Sequence, residues 1–156
     1  MNRTIHPAPV RRSVTVKVSQ ARAFEVFTGG IGAWWPRTHH TGPGELKSIT
    51  LEPRDGGRWF ETSVDGTETD WGKVLVWAPP ERLVLGWQIS ADFKYDPDLI
   101  TEVELRFIPE GERQTRVELE HRNLERFGDR AEEVRGRIDA PTGWVAVLEA
   151  FARAAS

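Results

Sequence analysis

The chain reads as an α+β domain: one strand, two short helices, a six-stranded antiparallel meander and a long C-terminal helix. Three observations predict this. From Glu45 to Arg122 short runs alternate apolar and polar residues at period two, which suits half-buried strands. The separators, "PRDGG", "VDG", "APPE", "ADFKYDPD" and "PEGER", are turn chemistry and mostly too short for crossover helices, so neighbouring strands pair antiparallel. After Arg122 the apolar period becomes helical.

Residues 1–9, with Pro7 and Pro9 and no periodicity, read as a loose leader to a single domain over 10–156. "SVTVKV" sets Val14, Val16 and Val18 against Ser13, Thr15 and Lys17 and forms the first strand. Ser19 caps a short helix, "QARAFEVFT", whose Ala23, Phe24 and Phe27 share a face and which Gly29 and Gly30 end. Ile31, Trp34 and Trp35 repeat the helical spacing for one further turn, which Pro36 stops. The strands that follow are "ELKSITLE", "GRWFETS", "TDWGKVLVW", "RLVLGWQIS", "TEVELRFIP" and "QTRVELEHR". Leu83, Leu85, Trp87 and Ile89 share one parity; Val103, Leu105 and Phe107 oppose Glu102, Glu104 and Arg106; Val117, Leu119 and His121 oppose Arg116, Glu118 and Glu120. One face of the sheet is therefore dry and the other wet. Asp129 and Glu132 resemble a capping box for "DRAEEVRGRI". A second start at Asp139, with Pro141 in the first turn, opens a helix striped by Trp144, Val147, Leu148, Phe151 and Ala155. About fifteen helical residues span ~22 Å, enough to lie along most of a strand.

Composition narrows the function classes. Acids and bases are mixed along a chain of net charge −3, without the basic stripe that phosphate backbones require, so nucleic acid is not an expected partner. No apolar run approaches the ~20 residues that cross a bilayer, and "MNRTIHPAPVRR" lacks the apolar segment of a secretory signal. A cytoplasmic protein without a membrane partner is expected. The absence of cysteine excludes disulfides, thiolate catalysis and cysteine-ligated metals. His39 and His40 are adjacent, so they point apart, and no HxH, HxxxH or HExxH spacing accompanies them; they read as solvated loop residues with no metal. There is no GxSxG elbow, and "RDGGRWFE" is a turn before a strand with neither GxGxxG nor a P-loop lysine, so no nucleotide cofactor is expected.

The phrases "AFEVFT", "WWP", "EPRDGGRWFE", "WGKVLVWAPPERLVLGW", "VELEHRNLE" and "GWVAVLEAF" carry a resemblance across residues 10–154. The chain resembles the START-like, or SRPBCC, superfamily, in the branch named after the activator of the heat-shock-protein-90 ATPase. The resemblance implies a helix-grip (birch-pollen-allergen-like) fold: a curved seven-stranded antiparallel sheet wrapped around the C-terminal helix, with a cavity between them. Many members bind small apolar or amphipathic molecules there. Some cyclise or hydrolyse aromatic polyketide-like compounds, and eukaryotic namesakes bind a chaperone through a further domain for which this chain has no room. Fold alone does not choose among these.

The residues favour ligand binding over the alternatives. Seven tryptophans are unusual for this length, and Trp59, Trp71, Trp87 and Trp144 all fall on inward positions, where they either pack as core or wall a ligand site. The expected cavity wall is Trp35, Trp59, Glu61, Trp71, Trp87, Phe107, His121, Trp144, Leu148 and Phe151, around a small hydrophobic or aromatic molecule. Trp35 is expected at the rim and Trp34 against the first helix, or the two in reverse, with at most one histidine of the exit loop at the mouth. Glu61 and His121 are the candidates for acid/base chemistry, because a carboxylate among tryptophans has its charged form disfavoured. The alternatives are that Glu61 pairs with Arg58 or Arg82 and that His121 merely closes a strand end. No residue distinguishes a monomer from a homodimer.

Overall fold

The computed structural model describes residues 7–156, so the first six residues of the expected leader lie outside the described residues. Strand β1 (Val10–Val16) leads through α1 (Gln20–Thr28) and α2 (Ile31–Trp34) into β2 (Leu46–Leu51), β3 (Arg58–Ser63), β4 (Glu68–Ala78), β5 (Arg82–Trp87), β6 (Thr101–Gly111) and β7 (Gln114–Arg122). A 3-10 segment (Leu124–Arg130), α3 (Ala131–Asp139) and α4 (Trp144–Ala155) complete the chain. The seven strands form one antiparallel sheet in the order β1-β7-β6-β5-β4-β3-β2. Register shifts in the β2–β3, β3–β4, β4–β5 and β6–β7 ladders bend it into a half-barrel around α4. Among the described residues no helix is long and apolar enough to cross a membrane.

Local chemistry explains most boundaries. The Ser19 hydroxyl accepts the Arg22 N–H at 3.2 Å and starts α1, whose Ala23, Phe24 and Phe27 are buried as their spacing predicts. Trp34 donates its indole N–H to the Val26 carbonyl at 2.8 Å, which folds α2 back onto α1. Beneath these helices Phe24 meets Phe107 at 5.1 Å between ring centroids, and Phe27 meets Phe151 at 5.2 Å, both edge to face. Leu148 is buried on the same side of α4.

Three expectations are corrected. β1 starts at Val10, because Arg11 and Arg12 continue the alternation and Val10 pairs with His121; Arg12 is tolerated on the inward parity because it binds Asp139. Asp139 therefore ends α3 and does not cap α4, whose N-cap is Gly143, leaving a helix of 12 residues. Gly143 is required there, since a Cβ would lie 2.3 Å from the Ile138 carbonyl oxygen. Nor does Asp129 cap α3: burial of Leu124 and Phe127 in the 3-10 segment puts Arg130 at the cap position instead.

The outer face departs from a simple wet surface at Glu104, which is only 4% exposed beneath Arg82, Arg106 and Arg122. Burial works to raise its pKa, and hydrogen bonds from the three guanidiniums more than reverse this, holding the carboxyl at about 2. The exposed large apolar side chains among the described residues are Val64, Phe93 and Ile108, on separate elements.

Candidate functional site: a tryptophan-walled cavity

Between the concave sheet, α3 and the start of α4 lies a cavity of about 340 Å³, toward the small end of the ~300–1,000 Å³ typical of ligand sites. Trp35, Trp71, Trp87 and Trp144 line it. Ile89 and Phe93 close it from the β5–β6 connection, Ile138 and Val147 from the helices, and His39, His40 and Thr41 from the loop after α2.

Each tryptophan arrives by a different route. Trp35 is the residue on which α2 ends, and its ring reaches the cavity while still touching that of Trp34, 5.8 Å away between centroids. Trp71 and Trp87 come from neighbouring strands, and Trp144 is the first residue of α4. Ring centroids lie 5.3 Å apart for Trp35 and Trp71 and 5.4 Å apart for Trp87 and Trp144. Three of the four indole N–H groups are already committed: Trp35 donates to the His39 carbonyl at 2.8 Å, Trp71 to Glu61 Oε1 at 2.8 Å and Trp144 to His121 Nδ1 at 3.1 Å. What these three rings offer a ligand is aromatic surface.

The other predicted wall residues stand behind this first layer. Trp59 is fully buried and backs the wall, touching Trp35, Trp71 and Trp87. Phe107, Leu148 and Phe151 do not line the cavity; they fill the space under α1, because that helix covers the adjoining part of the sheet.

Glu61 is completely buried and sits just outside the cavity wall. Its Oε1 accepts the Thr41 N–H at 2.7 Å, the Gly42 N–H at 2.8 Å and the Trp71 indole N–H, with the Thr41 hydroxyl at 3.3 Å. Oε2 faces His40 Nδ1 at 3.2 Å, within ion-pair distance but out of line for a hydrogen bond. Burial pushes the carboxyl pKa up, and donation from Gly42, Thr41 and Trp71, helped by His40, outweighs it, so the pKa lies below the ordinary value. The expectation that the tryptophan surroundings disfavour its charged form is thus corrected: the hydrogen bonds favour that form. Neither arginine proposed as its partner reaches it: Arg58 binds Glu68 and Asp70, and Arg82 binds Glu104. Gly42 makes the arrangement possible, since a Cβ there would lie 2.8 Å from Glu61 Oε2. Gly42→Ala is expected to push the carboxylate off its donors and cost about 1–3 kcal/mol, measured by urea unfolding; unchanged stability would contradict this.

His121 is sealed behind Trp144, where burial pushes its pKa down to about 3. Nδ1 accepts from Trp144, so the proton of the neutral ring sits on Nε2 and is donated to the Thr101 hydroxyl at 2.8 Å, which in turn donates to the Trp87 carbonyl at 3.2 Å. The ring fixes two wall tryptophans without lining the cavity. The loop histidines are the reverse case, for neither is freely solvated and both line the cavity; His39 holds the Thr142 carbonyl through Nε2 at 2.6 Å. The signal for His40 lay in "HHTG", a histidine next to small residues whose N–H groups can hold an anion.

An antiparallel half-barrel closed by a C-terminal helix over an aromatic cavity defines a helix-grip protein of the SRPBCC superfamily. More narrowly, the chain belongs to the family described as "Activator of Hsp90 ATPase homolog 1-like protein", whose profile matches residues 17–156. Among solved structures it is similar to the anthrahydroquino-γ-pyrone synthase Txn09 complexed with SUM, at 39% identity over 96% of this chain and 97% of that one, with a TM-score of 0.67. It is also similar to CalC, a self-sacrificing resistance protein of Micromonospora echinospora, at 32% identity over 94% and 92% of the two chains (TM-score 0.70). The Aha1 dimer of Colwellia psychrerythraea, 16% identical over 96% of each chain (TM-score 0.62), shares the fold. No curated protein sequence matches the chain.

Proposed function

We propose that this protein binds a flat, fused-ring aromatic molecule in the tryptophan-walled cavity. The observation that carries the proposal is the convergence of four indole rings on one space, three of them with N–H groups already engaged. Such a wall rewards a planar apolar face, through area burial and ring contacts worth about 0.5–1.5 kcal/mol each, more than a flexible acyl chain. The similarity to Txn09, whose name specifies an anthrahydroquinone-derived pyrone, supports the same ligand class.

Titration with anthraquinone-2-sulfonate tests it. Saturable quenching of tryptophan fluorescence with an affinity of roughly micromolar order is expected, weakened at least about tenfold by Trp87→Ala, with no saturation by decanoate. Linear quenching no greater than that of free N-acetyltryptophanamide would reject the proposal. A second reading, turnover of the bound aromatic, is favoured by the 39% identity to a synthase. His121 is poorly placed to serve it, being buried and having both ring nitrogens engaged.

A further inference from the structure

We propose that His40 is the general base of this cavity and that Glu61 is the residue that positions it, the substrate being a flat aromatic that carries an acidic C–H or O–H. The inference rests on the reading that the cavity binds such a molecule, and adds chemistry to it.

The geometry singles out His40 among the three described histidines. His121 has both ring nitrogens engaged and no access to the cavity. His39 has Nδ1 beside the Thr38 hydroxyl at 3.0 Å and Nε2 on the Thr142 carbonyl. His40 instead turns Nδ1 toward a fully buried carboxylate oxygen, and both that nitrogen and Glu61 Oε2 are shielded from water without another hydrogen-bond partner. Two such atoms 3.2 Å apart satisfy one another only if the proton of the imidazole is on Nδ1. That leaves the lone pair on Nε2, which makes no hydrogen bond among the described residues. The ring is 20% exposed, so it is reachable, and it lines the cavity on one side and an outer hollow with Arg37, Glu45 and Lys47 on the other. A proton taken up from the cavity thus has a polar exit.

The pair has the logic of a histidine base oriented by a buried carboxylate. Glu61 fixes the tautomer and opposes the charge of the imidazolium as it forms. Its other oxygen is locked by Thr41, Gly42 and the wall residue Trp71, so the carboxylate cannot swing away. The depressed pKa of Glu61 keeps it ionised for that role. The 3.2 Å contact is out of line for a hydrogen bond in this structure, and catalytic hydrogen bonds are often poorly aligned before a substrate is bound.

The probe is 5-nitrobenzisoxazole, a flat carbon acid. In its elimination His40 Nε2 takes the C3 proton, the C–H pair becomes part of the nitrile, the N–O bond breaks with its electrons on the phenolate oxygen, and the imidazolium then loses its proton to solvent. Binding is read by tryptophan quenching and elimination by the coloured phenolate. The wild type is expected to show saturable quenching and saturable elimination. His40→Asn should lower kcat about 100-fold while saturable quenching persists. Glu61→Gln should lower kcat at least about tenfold at unchanged Kd and, in nitrogen NMR, lose the Nδ1-protonated form of His40. Full kcat in His40→Asn, or a wild type that binds the probe without eliminating it, overturns the base assignment and leaves the binding proposal standing. Absence of saturable quenching overturns both. If His40→Asn fails to fold, nitrogen NMR of the wild-type ring decides: a proton on Nε2 in place of Nδ1 overturns the assignment.

Discussion

Gly72→Ala is expected to be the most damaging single-methyl substitution in the sheet, costing about 3 kcal/mol or more, because overpacking costs about 1–3 kcal/mol even where side chains can yield. Here nothing can yield cheaply. A Cβ on Gly72 would lie 1.6 Å from the Gly86 carbonyl oxygen and 2.8 Å from its carbon, both main-chain atoms of the neighbouring strand. Gly72 is paired with Trp59 on one side and Trp87 on the other, so β4 would have to part from β5 where the tryptophan wall is mounted. The hydrogen bond from Gln88 N–H to the Trp71 carbonyl, 2.8 Å long, lies next to the clash. Against a total stability of ~5–15 kcal/mol the loss is large, and it should lower Tm by roughly 10 °C, at about 2–4 °C per kcal/mol for a domain of this size. Thermal unfolding and near-ultraviolet circular dichroism would both register it, the second through the disturbed Trp59, Trp71 and Trp87. A midpoint within about 2 °C of wild type would show that the strands separate at little cost.

That close approach was invisible in "DWGKV", and the reason is general to this chain. Alternation along a strand reports which side a residue faces, and it placed Trp59, Glu61, Trp71, Trp87, Phe107 and His121 on the buried side, where all six lie or, for Trp87, partly lie. It does not report what arrives from elsewhere to cover them. Trp59 stands behind the cavity wall because Trp35, delivered from α2, lies over it; Phe107 is packed away because α1 sits above it. Consecutive positions diverge by about 100° on a turn, which separates Trp34 from Trp35 without saying which one meets the cavity; the hydrogen bond from Trp34 to Val26 is what holds Trp34 against α1. The ionisation of Glu61 depended on Thr41 and Gly42, about twenty residues earlier in a segment with no period to read. Capping patterns misled for a similar reason. Asp139 has the right chemistry to start a helix, but Arg12, which starts no pattern of its own, occupies it across the sheet edge.

Acidification from pH 7 to 5 is expected to remove about 2 kcal/mol of stability through His121 alone, well before the carboxylates titrate. In the folded protein its pKa is pushed down to about 3 by burial, whereas an unfolded chain titrates the same ring near ~6.5. The unfolded state therefore binds more protons between those values, and the stability this neutral histidine contributes is complete above ~6.5 and declines as pH falls toward about 3. Glu61 and Glu104 act in the same sense but lower: their folded pKa values are depressed, so their contribution is intact above the unfolded value near ~4.3 and is lost only below it. Urea unfolding at several pH values between 7 and 5 should give a steady fall for the wild type and a flatter profile for His121→Gln, whose amide can still accept from Trp144 and donate to Thr101. An unaltered slope in the variant would assign the effect to other groups. In the folded protein the ring protonates only near pH 3, and there it would take from Trp144 the acceptor that holds its indole N–H and leave Thr101 facing a cation behind the wall. Anthraquinone-2-sulfonate affinity should therefore hold steady between pH 7 and 5 while the unfolding free energy falls, and weaken only as pH approaches the folded value of about 3.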